Sequence, residues 1–326
     1  MQMIDITQYN PETMQLARPI YDRMKRVLLA EGRSIHPAIL ERIENMGITT
    51  LIVKDAESEG ISMDEMIDMP TWMDTITVVQ KAFDLAAKKQ MLNVAELQKA
   101  VAQMIGEVTK RKTIVLVPSS SVPPELKSYA HSVNVALLAI QTAKKLKYTQ
   151  SQLRDLGIGS LLHDIGKAVS KEEKEHPQTG FDVIKNQREI SLLSAHIAYQ
   201  HHELLNGKGY PRGLAGDDIL ELPQVCAVAS FYENLISTDK MLPHEALELI
   251  MTKYETEYKG KVIEAFVNSI PSYYPGTKVI LHNEQKAIVT KIKQHFHRPV
   301  IRLLEDQREI DLAVTPSVVI KGILVG

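Results

Sequence analysis

The strongest constraint on the fold is a set of histidines carried by segments of helical periodicity, each beside an apolar run. From Tyr199 to Pro211 the chain reads "YQHHELLNGKGYP". Two adjacent histidines close a helical pattern, and the Gly-Lys-Gly-Tyr-Pro that follows suits no helix or strand interior. His163 and Asp164 form a second adjacent pair in "LLHDIGK", His131 lies in "YAHSVNVALLA", and His176 opens "HPQTG". Apolar neighbours such as Leu161, Leu162, Ile165, Ile197 and Ala198 direct these segments into a core. A buried imidazole needs a hydrogen bond, and a buried carboxylate needs a partner or a cation. Any one of these histidines alone is well explained by a local hydrogen bond. The adjacent His-Asp and His-His pairs together are met most simply by convergence of four helices on divalent metals.

Mixed imidazole and carboxylate ligands suit iron, manganese or zinc rather than magnesium or calcium. An aspartate has two oxygens and can bridge two metals. A water held between two cations loses a proton near neutral pH and becomes a nucleophile for a phosphoryl centre. The implied reaction class is metal-assisted phosphoester hydrolysis.

The flanking sequence sets this region apart. Residues 1–60 read as a small α/β accessory domain. In it "ARPIYD" and "RVLLAEG" are short strands, and "HPAILERIENMG" is a helix with Ile39, Leu40, Ile43 and Met46 on one face. Gly47 stands at its C-terminal cap, and "TTLIV" returns as a strand. Helical periodicity then runs from about residue 63 to 268, with 61–112 as a helical linker. Met63, Met66, Met69 and Met73 form a stripe best explained as core, and Asn93 with Glu96 resembles a capping box. The Pro/Ser break "VPSSSVPPE" starts a new helix at Glu125. Residues 271–326 change to short β-branched runs between turns, a small antiparallel sheet or barrel of four or five strands. His295 and His297 sit at a strand end there with no third ligand nearby.

Composition excludes several classes. In 326 residues the net charge is −2, with no basic block of the kind that binds nucleic acid. The apolar runs are too short to span a bilayer, and the N-terminus lacks a signal-peptide pattern. Cys226, the single cysteine, lies in an apolar run and reads as a buried, inert thiol. A cytoplasmic location is the expectation.

Three motifs, "HDIGK" at 163–167, "HPQTG" at 176–180 and "HHELLNGKGYPRGL" at 201–214, occur in the order that resembles the HD-GYP domain. The resemblance runs over about residues 113–270. It implies a mainly α fold: a helical HD-GYP bundle between the small N-terminal α/β unit and the C-terminal β module. It also implies a cyclic di-GMP phosphodiesterase with two divalent metal ions, iron or manganese first. His131, His163 and Asp164 resemble the ligands of one metal, and His176, His201 and His202, with Asp164 as bridge, those of the second. Lys167 would place its ammonium against a phosphate oxygen, and Gly209, Tyr210 and Pro211 would wall the substrate groove.

Four departures from that pattern stand out. The family's metal-binding aspartate after "CAVA" is Ser230, for which Glu233, on the same helical face, is the candidate substitute. The family arginine in that segment is Gln224, and the downstream Arg-Pro-Tyr element is missing. The position of a third-metal glutamate is Lys127. Only twelve residues separate His163 from His176, so a shorter insertion opens the groove or shifts His176. Ser230 and Gln224 favour an alternative: a catalytically degenerate member that binds a cyclic dinucleotide or a partner protein without turnover. A third reading is a phosphohydrolase of ordinary nucleotides. A homodimer and the signal sensed by the N-terminal unit are left open.

Overall fold

The computed structural model describes residues 1–324, which divide into two compact units. One comprises residues 1–66, 117–127 and the chain from 271 onward; the other comprises 67–116 and 128–270.

In the first unit, strand β1 (Gln2–Asp5) and strand β2 (Gln15–Leu16) flank β5 (Thr50–Lys54) in an antiparallel sheet, with Gln2 opposite Val53. β5 is central, and Leu51, Ile52 and Val53 are buried in succession rather than alternately. β3 (Ile20–Tyr21) and β4 (Val27–Leu29) form a separate small hairpin. Helix α1 (Pro37–Asn45) starts where His36 accepts a bond from the Ala38 N–H and ends before Gly47, whose φ is +76°. Ile43 is its buried residue, packed with Ile6, Leu16, Ile48 and Leu51, whereas Ile39 is 39% exposed.

The same unit contains β6 (Lys278–Leu281), β7 (Lys286–Lys291), β8 (Val300–Leu303), β9 (Glu309–Asp311) and β10 (Ile320–Ile323). Their order is β10-β6-β7-β8-β9, all antiparallel, around Val279, Leu281, Val289, Ile301 and Leu303. The sheet is open, so the barrel alternative is set aside: β9 and β10 remain its edges. His297 is held by Ser272 at 2.7 Å, a local hydrogen bond. Residues from the N-terminal and C-terminal parts of this unit pair here. Lys278 pairs with Asp55 and Glu57, and Arg302 donates to the carbonyls of Glu57 and Glu59.

The second unit is a helical bundle, and 45% of the described residues are helical. Helix α2 (Met69–Ala87) begins only at Met69, where Asp68 accepts from the Thr71 N–H at 2.9 Å. The methionine stripe is therefore core, as its burial shows, but Met63 and Met66 precede the helix rather than extending it. Helix α3 (Val94–Lys110) is capped by Asn93. Then follow α4 (Pro124–Lys145), α5 (Gln150–Leu162), α6 (His176–Lys185), α7 (Leu192–Gln200), α8 (Glu221–Ser237), α9 (Pro243–Met251) and α10 (Gly260–Val267). The start of α4 up to Lys127 belongs to the first unit. Trp72, Leu97, Leu137, Ile140, Leu156, Val225 and Phe266 fill the bundle core. Cys226 is fully buried, and burial pushes its thiol up to about 12. Among the described residues, no helix is long and apolar enough to cross a membrane.

Candidate metal centre

Five helices deliver the site. His131 projects from α4, His163 and Asp164 end α5, His176 opens α6, and His201 and His202 follow α7. Ser230 and Glu233 come from α8. A short turn, Ile165–Ala168, carries the chain away from Asp164 and packs directly on the start of α6. A Cβ at Gly166 would lie 2.0 Å from the His176 carbonyl oxygen, so only glycine permits this approach.

The ring nitrogens are sorted by the backbone. His163 Nδ1 donates to the Ser160 carbonyl (2.8 Å), His176 Nδ1 to that of Glu173 (2.5 Å) and His201 Nδ1 to that of Ala198 (2.8 Å). A carbonyl can only accept, so each Nδ1 carries the proton and each Nε2 presents a lone pair. These lone pairs face Asp164. Its Oδ1 lies 3.2 Å from His176 Nε2 and 3.6 Å from His201 Nε2, while its Oδ2 lies 3.5 Å from His163 Nε2. The two Nε2 atoms of His176 and His201 are only 3.3 Å apart.

Acceptors therefore crowd together with too few donors. His163 Nε2, Asp164 Oδ1 and His202 Nε2 are buried without a hydrogen bond of acceptable geometry. Groups so placed demand a proton or a cation. Two sets fit a cation, with ligand atoms within 4.8 Å of one another: Asp164, His176, His201 and His202, and His131, His163 and Asp164. Electrostatics agrees with this. Burial lowers His163 to about 3 and also lowers His201 and His202, so these imidazoles are neutral and ready to ligate. Burial by itself would raise the Asp164 carboxyl, but the surrounding His163, His176, His201 and Lys167 hold it well below its usual range.

The other sequence candidates are placed as follows. Lys167 reaches Asp164 Oδ2 at 3.0 Å and Glu173 at 3.6 Å, with 41% of its side chain exposed. Tyr210 stacks on His202, ring centroids 4.4 Å apart, and its N–H donates to the His202 carbonyl. Burial, with Glu173 and Asp164 nearby, raises the Tyr210 hydroxyl, which keeps its proton. Gly209 packs against the same backbone: a Cβ there would lie 2.4 Å from the His202 carbonyl oxygen. The short insertion does not displace His176, which lies within 3.2 Å of Asp164. Lys127 lies one turn before His131 on α4.

Ser230 and Gln224 have other partners. Ser230 Oγ lies 3.3 Å from His131 Nε2, in the direction of the cluster. Gln224 is buried and accepts the Lys259 N–H at 2.8 Å, so its carbonyl secures the start of α10. Glu233 does not reach the cluster. Its Oε2 takes the other nitrogen of His131, Nδ1, at 2.5 Å, and its Oε1 accepts from Asn134 and Ser237. Burial would raise Glu233, but His131 and these donors draw it down to about 2; burial would likewise lower His131, and Glu233 holds it above its usual range.

Two supporting residues escaped the sequence reading. Glu203, 1% exposed, accepts the N–H groups of Arg212 and Leu214, both at 2.8 Å, and so shapes the loop carrying Tyr210. Asn134 links Glu233 to the Trp72 indole N–H. The only sequence signal for Glu203 was a carboxylate directly after two histidines; for Asn134 there was none.

Residues 128–235 match the HD domain family. The chain is 30% identical over 190 residues to a cyclic di-GMP phosphodiesterase of Pseudomonas aeruginosa, covering 52% of this chain and 45% of that protein. It is 27% identical over 168 residues to a 3'3'-cGAMP-specific phosphodiesterase of Vibrio cholerae, covering 45% of this chain and 39% of that protein. The chain thus spans less than half the length of these curated relatives. Its fold resembles a solved HDG"Y"P protein of Bdellovibrio bacteriovorus, with a TM-score of 0.52 at 18% identity over 82% of this chain and 98% of that one.

Proposed function

Because the chain carries an HD-domain fold related to the HD-GYP cyclic di-GMP phosphodiesterases, we propose that it is a metal-dependent cyclic-dinucleotide phosphodiesterase. The observation that carries this reading is the convergence of buried, donor-poor Nε2 atoms on Asp164. His131 and His163 would hold one divalent cation, and His176, His201 and His202 the other, with one Asp164 oxygen directed to each. Iron or manganese suits this donor set. Such ions, when bound, supply an acidified water and neutralise charge on a phosphoryl group.

The chain's own groups divide the remaining work. The carbonyls of Ser160, Glu173 and Ala198 keep each proton on Nδ1 and each lone pair inward. Lys167, 3.0 Å from Asp164 and partly exposed, would meet a non-bridging phosphate oxygen, where negative charge grows. Tyr210 offers a protonated hydroxyl and a ring face beside the cluster, and the Glu203-braced loop fixes that ring in place.

Cyclic di-GMP is the first substrate to test, with 3'3'-cGAMP second. Protein purified without air and loaded with iron or manganese should yield linear dinucleotide or mononucleotide. Asp164→Ala should lower the rate by more than about 100-fold, beyond the range for loss of a merely supporting partner. Full metal occupancy without product from either dinucleotide would overturn the reading. That result would favour the second reading, a binder without turnover, which Ser230 and the engagement of Gln224 with Lys259 support. Activity confined to mononucleotides would instead favour a general HD phosphohydrolase.

A further inference from the structure

The two halves of the cluster are not built alike. Asp164, His176, His201 and His202 offer four ligands in one half, whereas the other half has His131, His163 and the shared Asp164. Ser230 adds a neutral hydroxyl on the cluster side of His131. A carboxylate is nevertheless present at this half, behind His131. Glu233 is 1% exposed, and both its oxygens are engaged: Oε2 by His131 Nδ1 at 2.5 Å, Oε1 by Asn134 Nδ2 at 3.1 Å and Ser237 Oγ at 2.6 Å. Asn134 is itself fixed, because its Oδ1 accepts the Trp72 indole N–H at 3.1 Å. For Glu233 to swing to the Nε2 side, its buried carboxylate would have to give up the bonds it accepts from Asn134 and Ser237, and these hold it behind the ring.

We propose that the cation positions are unequal: a tight one at Asp164–His176–His201–His202, and a weaker, exchangeable one at His131–His163–Asp164 whose affinity depends on Glu233 acting through His131. This rests on the metal-centre reading above and adds a positioning residue to it. A carboxylate behind a ligating imidazole orients the ring and raises its basicity, and removing such a partner typically costs about 10- to 100-fold in metal affinity. The negative charge absent from position 230 is thus supplied from behind the ring.

The test is a manganese titration of metal-free protein followed by calorimetry, which does not depend on turnover. The wild-type chain should bind in a tight phase and a weak phase. Glu233→Gln should weaken only the weak phase, by about 10- to 100-fold, whereas Ser230→Asp should strengthen only that phase. His202→Ala should weaken the tight phase, which assigns the phases to the two halves. A single phase of equal sites, binding that stops at one ion, or a weak phase unmoved by either Glu233→Gln or Ser230→Asp would overturn the proposal. Glu233→Gln loses a buried charge, so a change in both phases with a lowered metal-free melting temperature would mark the role as merely structural and also overturn it. Should that variant fail to fold, Ser230→Asp, which gives up only the 3.3 Å contact of Ser230 with His131, decides alone. Absence of dinucleotide hydrolysis despite two unequal phases would defeat the phosphodiesterase reading and leave this one standing. Turnover with equal sites would do the reverse.

Discussion

Glu203 illustrates how a site can depend on a residue that stands outside its candidate ligand sets. Its carboxylate sits beneath the loop after the paired histidines and accepts the backbone N–H groups of Arg212 and Leu214. Glu203→Ala would leave both donors without their partner, at a cost of about 1–3 kcal/mol for each donor that stays buried. Tyr210 would then lose its fixed place against His202, while the cation ligands stay put. The expected outcome is faster amide exchange over residues 204–214 with manganese affinity within a few-fold of wild type and, under the proposed activity, a raised KM for dinucleotide. A large loss of manganese affinity would show instead that Glu203 holds the histidines. The same scale explains Gly166 and Gly209, where neighbouring backbone lies closer than any Cβ could tolerate.

At the scale of elements, helix termini position the chemistry. Three of the five histidines end or begin a helix: His163 caps α5, His176 opens α6 and His201 caps α7. The Nδ1 atoms of these rings bond to carbonyls three residues earlier, within α5 and α7 for His163 and His201 and in the turn before α6 for His176, so the backbone there orients the lone pairs. Caps elsewhere do ordinary structural work. Asp68 accepts from Thr71 at the start of α2, the helix whose Trp72 supports Asn134. Asp68→Ala should cost about 1 kcal/mol, the usual value of an N-cap, and lower the melting temperature by about 2–4 °C for a domain of this size. Metal binding should be unchanged. An unaltered melting temperature would show that α2 starts equally well without its cap.

At the scale of the whole molecule, the buried histidine cluster makes the stability of metal-free protein depend on pH. Burial lowers His163 to about 3 and depresses His201 and His202, whereas Glu233 raises His131. Below about pH 6.5 the unfolded chain binds protons at the first three that the folded chain refuses, which lowers stability. His131 acts in the opposite sense: its contribution is fully present below the unfolded value and is lost as pH rises through its raised folded value. Three groups against one leave a net loss on acidification, at about 1.4 kcal/mol per pH unit for each uncompensated histidine. The depressed carboxyls of Asp164 and Glu233 add their own loss only below about pH 4. Metal-free protein should therefore melt at a lower temperature at pH 5 than at pH 7, as read by calorimetry in chelator. A flat or rising midpoint would contradict these directions.

The amino-acid sequence by itself determined the helical class of the central region, the five histidines that gather around Asp164, and the loop at Gly209–Pro211. It could do so because each signal is local: periodicity marks a helix, adjacent ligand pairs mark a buried polar site, and Gly and Pro mark a break. It also indicated the C-terminal strands and the cap at Gly47, though not β1 or where α2 starts. What only the tertiary structure decided depends on contacts between distant residues. Helical spacing put Glu233 on the same face of α8 as Ser230, but Asn134 and Ser237 determine which nitrogen of His131 it meets. Gln224 is committed to Lys259, thirty-five residues away, and Lys278 and Arg302 meet residues 55–59 across more than half the chain. An open sheet and a barrel share the same alternation along each strand, so closure is settled only by which edges pair. Such choices leave no periodic trace, because they are fixed by packing between segments rather than by the geometry of any one of them.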